Sequence, residues 1–137
     1  MMKRFLIALA ALLMIPTLAC AQVVGGIKAI QVAANTTSIS VCNQSCTLTG
    51  YALWNNSATI AYLKFYANTQ ANVTCGTNVV SDRAMIPAST RGAGAVIALP
   101  TPVYYPTGLT VCITTGFADS DTTAPAALAY LVSLYTK

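Results

Sequence analysis

Short runs of alternating side chains, each ended by a cluster of turn residues, recur along most of this chain. The clearest run is 60–66, in which Ala61, Leu63 and Phe65 share one wholly apolar face. Residues two apart lie on the same side of a β-strand, so this face is expected to look into a core. No segment after residue 21 has a helical apolar period with caps. The chain is therefore predicted to be all-β.

Turn residues divide the chain into seven to nine short strands, which predicts an antiparallel β-sandwich of jelly-roll or immunoglobulin-like type. Pro100, Pro102 and Pro106 confine residues 101–107 to an edge strand or an extended connection, because proline cannot donate to a sheet ladder. Residues 68–74, 91–94 and 116–125 are predicted loops. The predicted strands are 27–33, 37–42, 47–54, 60–66, 95–99, 108–114 and 126–135.

The first 21 residues have the composition of a secretory signal peptide. Lys3 and Arg4 form a basic start, an uncharged apolar helical run follows, and the small residues Ala19 and Ala21 precede an expected cleavage before Gln22. Removal of residues 1–21 from the 137 leaves 116, which we interpret as a single β-sandwich domain over 22–137. The protein is expected to be exported. No contact with a membrane is expected after cleavage, because the apolar run is shorter than the roughly 20 residues that span a bilayer.

Cleavage leaves four cysteines in an oxidising compartment, where structural disulfides are expected. They are Cys42, Cys46, Cys75 and Cys112, and four cysteines allow three pairings between which a sequence does not choose. The pairs Cys42–Cys46 and Cys75–Cys112 are favoured, because the first would close the polar turn 43–45. Zinc is disfavoured by the spacing and by the absence of histidine.

The residues of general acid–base chemistry are nearly absent from this chain. It has no histidine and no glutamate, and its three acidic residues are Asp82, Asp119 and Asp121. We therefore expect no enzymatic activity. Residues 22–137 carry five basic and three acidic side chains, a scattered net charge of +2, so no nucleic-acid partner is expected.

Asp119 and Asp121 stand two apart in a polar loop. Such side chains most often hold turns by accepting backbone N–H bonds. A calcium site is the weaker alternative, and the loop lacks the glycine and glutamate of an EF-hand. No other cofactor is expected.

Tyrosines on the predicted strands are candidates for a contact surface. Tyr62, Tyr66 and Tyr104 are predicted to form an interface between subunits or a ligand surface. Stacking of these rings on a glycan is the alternative.

Four segments carry a likeness to known proteins, namely 61–66 (AYLKFY), 75–77 (CGT), 85–88 (MIPA) and 106–124 (PTGLTVCITTGFADSDTTA). Through these segments, residues 55–135 resemble a loose group of small phage-encoded β-sandwich proteins found among virion structural genes. The resemblance implies a capsid decoration, head-fibre or tail-associated module that assembles as a symmetric oligomer, and it brings no catalytic residues.

Two functions from different classes follow. The first is a structural module of a particle surface, whose partners are its own copies, a trimer or larger, and other virion proteins. The second is a secreted module that binds a glycan or a host surface; a subunit of an extracellular fibre is a third reading. The expected signal peptide and disulfides depart from phage proteins that assemble in the cytosol, because the cytosol keeps thiols reduced. The chain is therefore either a secreted relative of those proteins or a virion protein that the particle acquires outside the cytosol.

Overall fold

The computed structural model describes residues 26–31, 37–88, 93–126 and 129–137. The predicted signal peptide and its cleavage site lie outside these ranges, as does the end of the first predicted strand.

Eight strands and one short 3-10 helix are present within the described ranges. The helix is Gln70–Asn72, between the fourth and fifth strands. The strands are β1 Gly26–Gln31, β2 Ile39–Cys42, β3 Cys46–Asn55, β4 Ala61–Tyr66, β5 Asp82–Ile86, β6 Ala93–Tyr105, β7 Leu109–Thr114 and β8 Tyr130–Thr136.

The strands form two four-stranded sheets, and all their pairings are antiparallel. Sheet A has the order β1-β8-β3-β6, and sheet B has the order β2-β7-β4-β5. The pairs β1–β8, β2–β7, β3–β6 and β4–β5 are nested, so that the first strand pairs with the last and the fourth with the fifth. This is the strand order of a jelly roll, a chain folded as one long hairpin and rolled into two sheets. The predicted all-β sandwich is confirmed.

The core lies between the two sheets and is built by alternate residues of the central strands. The predicted inward face of β4 is correct, because Ala61, Leu63 and Phe65 are at most 1% exposed. Leu53 on β3 and Val132 on β8 close the core from sheet A. Burial of such side chains is the main stabilising contribution to the fold.

Strand β5 is absent from the sequence prediction. Its residues Ala84 and Ile86 are buried in the core, which is the alternation of a strand, but Asp82 and Arg83 at its start give it the composition of a loop. Pairing with β4 at five positions stabilises β5 as a strand, although its local composition does not predict one.

Strand β6 is an edge strand, as the prolines predict, but it is longer than expected. It pairs with β3 on one side, and it runs through Pro100 and Pro102 as far as Tyr105. The pairing shifts register there, since Leu48 lies opposite Val103 and Gly50 opposite Ala98. The additional residues of β6 hold the two prolines outside the regular ladder, where their missing N–H groups cost no ladder bond.

The four cysteines form two disulfides in the pairing that the sequence favours. Cys42–Cys46 closes the connection between β2 and β3, with 6.5 Å between the Cα atoms. Cys75–Cys112 joins the segment after β4 to β7, with 6.0 Å between the Cα atoms.

Candidate functional site

The outer side of sheet B is covered by two segments of its own chain. Here we call residues 67–81 and 115–124 the cover, and the outward side chains of β4 and β7 the covered face. The cover leaves Lys64, Tyr66, Thr110, Cys112 and Thr114 at most 1% exposed, although all five point away from the core between the sheets.

Hydrogen bonds tie the covered face to the backbone of the cover. The hydroxyl of Thr110 donates to the carbonyl oxygen of Asn68 at 2.8 Å, and that of Thr114 donates to Gly116 at 3.0 Å. Tyr66 packs in a second apolar cluster with Val73, Cys75, Val80 and Cys112. The Cys75–Cys112 disulfide lies inside this cluster and bonds the cover to β7.

Lys64 is a charged side chain that is fully buried. Its Nζ atom donates hydrogen bonds to the carbonyl oxygens of Ala118 at 2.6 Å and Asp121 at 3.1 Å. Burial lowers the pKa of Lys64, and the neighbouring carboxylates of Asp121 and Asp119 oppose that shift. The amine therefore acts as a buried anchor for the 115–124 loop.

Asp121 holds the turn of the same loop. Its carboxylate accepts one hydrogen bond from the backbone N–H of Gly116 and another from the hydroxyl of Thr123, both at 2.8 Å. Burial alone would raise the pKa of Asp121, but these hydrogen bonds outweigh it and hold that pKa below its ordinary value. A Cβ atom at position 116 would stand 2.5 Å from the Asp121 carboxyl carbon, so this close approach requires glycine.

Asp119 is placed in a different contact from Asp121. Its carboxylate forms an ion pair with the guanidinium of Arg83 on β5, and Arg83 also donates to the carbonyl oxygen of Phe117 at 3.2 Å. Asp121 therefore accepts a backbone N–H bond, as the turn-holding interpretation expects, whereas Asp119 is bound to a side chain of β5. No group of three or more His, Cys, Asp or Glu side chains that could hold a metal occurs within the described ranges. The calcium alternative stays a prediction.

An aromatic cluster, which the sequence analysis did not single out, stands at the border of the covered face. The rings of Tyr62 and Phe117 meet edge to face with centroids 5.5 Å apart, and the guanidinium of Arg83 lies 4.4 Å from the Phe117 centroid. Phe117 is 60% exposed. A phenylalanine in a loop otherwise rich in Asp, Ser and Thr is the signal that could have identified it.

The three tyrosines predicted to form one surface are in three different settings. Tyr62 is half-buried beside Phe117, and Tyr104 is exposed on the edge strand β6 of the other sheet. Tyr66 is 1% exposed, so its assignment to a contact surface is wrong. The physical reason is the cover, whose packing against Tyr66 does not follow from the alternation along β4. Burial also raises the pKa of Tyr66.

The outer side of sheet A carries no such cover within the described residues. We call its outward positions on β3, β6 and β8 the bare face, and none of them is charged. Three of its large members, Trp54, Val96 and Leu131, are 54%, 79% and 43% exposed. The register places Trp54 between Leu131 and Gly94, and Ala52 between Ser133 and Val96.

Gly94 explains how the indole of Trp54 lies against β6. A Cβ atom at position 94 would approach the indole to 2.6 Å and the carbonyl oxygen of Leu53 to 2.9 Å. Glycine therefore lets the ring lie over the backbone of the neighbouring strand. The result is an uncharged and largely apolar surface at this side of the sandwich.

Comparison of the chain with protein-family models, curated proteins and solved structures finds no match. Within the described residues, no helix has both the length and the apolar character needed to cross a membrane. Functional inference therefore depends on the two outer faces of the sandwich.

Proposed function

We propose that the protein is a non-enzymatic structural module of a phage particle surface, and that it assembles there as an oligomer through the bare face. The observation that carries this proposal is the exposure of Trp54, Val96 and Leu131 together on a face without charge. Exposed contiguous apolar patches on folded domains mark interaction sites.

Two further features support the proposal without deciding it. The jelly roll is a fold that viral capsid proteins use, although lectin domains share it and a fold does not fix a function. The resemblance of residues 55–135 to phage virion proteins points in the same direction. In a capsid decoration, head-fibre or tail-associated module, the partners would be copies of this chain and other virion proteins.

The experiment is a measurement of mass in solution on the exported protein, by light scattering across a range of concentrations. We expect an oligomer in the wild type and its dissociation in Val96→Lys and Leu131→Lys, because a lysine at the centre of the interface would be buried without a partner. Met85→Lys is the matched control, since Met85 is 57% exposed on the other sheet. A wild-type monomer at micromolar concentration would contradict the proposal.

Mass spectrometry of purified particles tests the location. Stoichiometric peptides of this chain that begin at Gln22 are expected in the particles. Their presence only in the cell-free supernatant would instead favour the alternative, a secreted module that binds a glycan or a host surface.

One observation favours that alternative, namely the exposed ring of Phe117 beside Tyr62 and Arg83. Aromatic rings with one free side can stack on the apolar face of a sugar. A glycan array on the wild type, Tyr62→Ala and Phe117→Ala would show binding that both substitutions abolish. An array without signal would remove this alternative for the sugars tested.

A further inference from the structure

The two sheets have four edge strands, and each edge strand directs alternate N–H and C=O groups away from its single partner. The edges of sheet A are β1 and β6, and those of sheet B are β2 and β5. Natural sheets protect such edges with charged side chains, short strands, prolines or irregular pairing, because an open edge pairs with another chain.

Three of the four edges have this protection. Strand β1 has six residues and includes Lys28, and β5 has five residues and begins with Asp82 and Arg83. Strand β2 has four residues and an irregular register against β7.

The edge of β6 is different in its first half. The strand has 13 residues without a charged side chain, and its prolines and register shift lie after Leu99. Residues 93–99, with the sequence AGAVIAL, therefore form a regular edge of seven residues without proline or charge. Within the described residues only β3 pairs with it.

We propose that this half of β6 pairs with the same segment of a second copy, antiparallel and across a twofold axis, joining two A sheets into one of eight strands. The inference rests on the proposed self-assembly and names the contact that begins it. A twofold contact places each residue of 93–99 opposite a residue of the same segment in the other copy, which costs repulsion where the segment carries like charges and costs none here. Neither a peptide partner nor a glycan is needed to satisfy the exposed backbone groups.

The pairing also extends the bare face. Val96 is the central residue of 93–99, so an axis at Val96 places Gly94 of one copy opposite Ala98 of the other. Both residues are on the same side of the strand as Val96, together with the outward positions of β3. The joined sheet would present one continuous uncharged face, which doubles the area open to further copies.

Hydrogen exchange tests the pairing directly on the wild-type exported protein. The outward amides of residues 93–99 are expected to exchange more slowly at high than at low protein concentration. Those of β1 are expected to stay unchanged, since β1 lies at the opposite edge of sheet A. Equal exchange of 93–99 at both concentrations in a sample that is shown to be an oligomer would overturn the inference.

Two proline variants add a structural test. The N–H groups of successive residues in β6 point alternately toward β3 and toward the open edge, and Ala95 and Ala98 are three residues apart. One of the variants Ala95→Pro and Ala98→Pro therefore removes an N–H that bonds to β3, and the other removes an N–H at the open edge. The first is expected to have a clearly lower Tm. The second is expected to keep the wild-type Tm when both proteins are measured at a concentration at which they are monomers, and to associate at least tenfold more weakly than the wild type.

The outcomes separate this inference from the proposed function. If the stable proline variant remains an oligomer that Leu131→Lys dissociates, the edge inference is wrong and assembly through the bare face stands. If the wild type is a monomer at every concentration, both are wrong. If the wild type is a monomer whose 93–99 amides become protected only when a foreign strand peptide is added, the edge accepts a different partner and this inference is also overturned.

Discussion

The two outer faces of this sandwich differ in an unexpected way, because the face with polar side chains is buried and the face with large apolar side chains is exposed. The covered face of sheet B contains Lys64, two threonines and the Tyr66 hydroxyl, yet these side chains are at most 1% exposed. The bare face of sheet A contains Trp54, Val96 and Leu131, yet each of these is more than 40% exposed. Polar residues are usually exposed and large apolar residues buried, so each face departs from the rule.

The difference between the faces is what each one contacts. The cover brings carbonyl oxygens to the amine of Lys64 and to the hydroxyls of Thr110 and Thr114, so the burial of these three groups is compensated within one chain. The Tyr66 hydroxyl is buried without a hydrogen-bond partner among the described residues. Sheet A has no corresponding segment within the described residues, and its apolar area is left for another molecule. Variants on the covered face should therefore change the stability of the monomer, whereas variants on the bare face should change association.

The largest expected effect is loss of the disulfide that bonds the cover to β7. Removal of Cys75–Cys112 by alanine at both positions should lower the free energy of unfolding by about 4 kcal/mol, because its sequence separation is 37. Removal of Cys42–Cys46, with a separation of 4, should cost about 2 kcal/mol. Urea unfolding measures both. An equal or larger loss for Cys42–Cys46 would contradict a structural role for the cover.

Lys64→Ala should have the next largest effect, about 3 kcal/mol, since it leaves two carbonyl groups without a donor and a void in place of the buried stem. Lys64→Met keeps most of the stem and should lose about half as much. Alanine at the exposed Lys137 is the control, with an expected change below about 0.5 kcal/mol. A loss at Lys64 as small as at Lys137 would show that the amine does not hold the cover.

The pH dependence of the Lys64 contribution has a definite sign. Because burial lowers the pKa of Lys64 in the folded state, the unfolded chain binds more protons between that pKa and the ordinary value of 10.5. The wild type should therefore gain stability relative to Lys64→Met as the pH rises through this window. A constant difference across the alkaline range would contradict the assigned burial.

A matched pair of valines compares the two faces directly. Val80 belongs to the cover, packs against the covered face and is 9% exposed, whereas Val96 is 79% exposed on the bare face. Threonine has nearly the shape of valine, so Val80→Thr should cost about 1–2 kcal/mol by burying a hydroxyl, and Val96→Thr should stay within about 0.5 kcal/mol. Measured on the monomer, similar losses at both positions would erase the distinction between the faces.

Much of the fold could be predicted from the sequence, because alternation reports which residues of a strand share a side. The inward set of β4 and the edge position of β6 follow from Ala61, Leu63, Phe65 and the prolines. Alternation does not indicate whether another segment of the chain packs over the outward side chains of a strand. Alternation therefore leaves Tyr66 on the side assigned to a contact surface, whereas contacts from residues far along the chain bury it.

The remaining omissions have the same cause. Strand β5 is stabilised by its pairing with β4, and the contact of Phe117 with Tyr62 and Arg83 joins three separate segments. The bare face depends on the order of β3, β6 and β8 in one sheet, which no local pattern contains. Its members Trp54, Val96 and Leu131 are far apart in sequence and adjacent only through the strand register.

The ion pair of Arg83 and Asp119 should contribute less than the buried anchors. Their side chains are 27% and 46% exposed, and such surface pairs contribute up to about 1 kcal/mol. A double-mutant cycle with Arg83→Ala and Asp119→Ala should give a coupling energy within that range, reduced by added salt. The exposed Asp82 replaces Asp119 in the control cycle, with no expected coupling. A coupling energy larger than the loss of unfolding free energy in Lys64→Ala would show that the exposed ion pair, and not Lys64, is the main contact that holds the cover.

Acid should weaken the covered face slightly through Asp121. Hydrogen bonds from Thr123 and Gly116 hold the Asp121 pKa below its ordinary value of 3.8 in the folded state, so the carboxylate stabilises the fold above that value. This contribution is lost as the pH falls through the folded-state pKa. The urea midpoint of the wild type should therefore decrease between about pH 5 and pH 2 more than that of Asp121→Asn. Asp82→Asn, at an exposed position without a place in the cover, should follow the wild type. If Asp121→Asn also followed the wild type, the acid sensitivity would belong to the rest of the molecule, and the cover would depend on Lys64 and the disulfide alone.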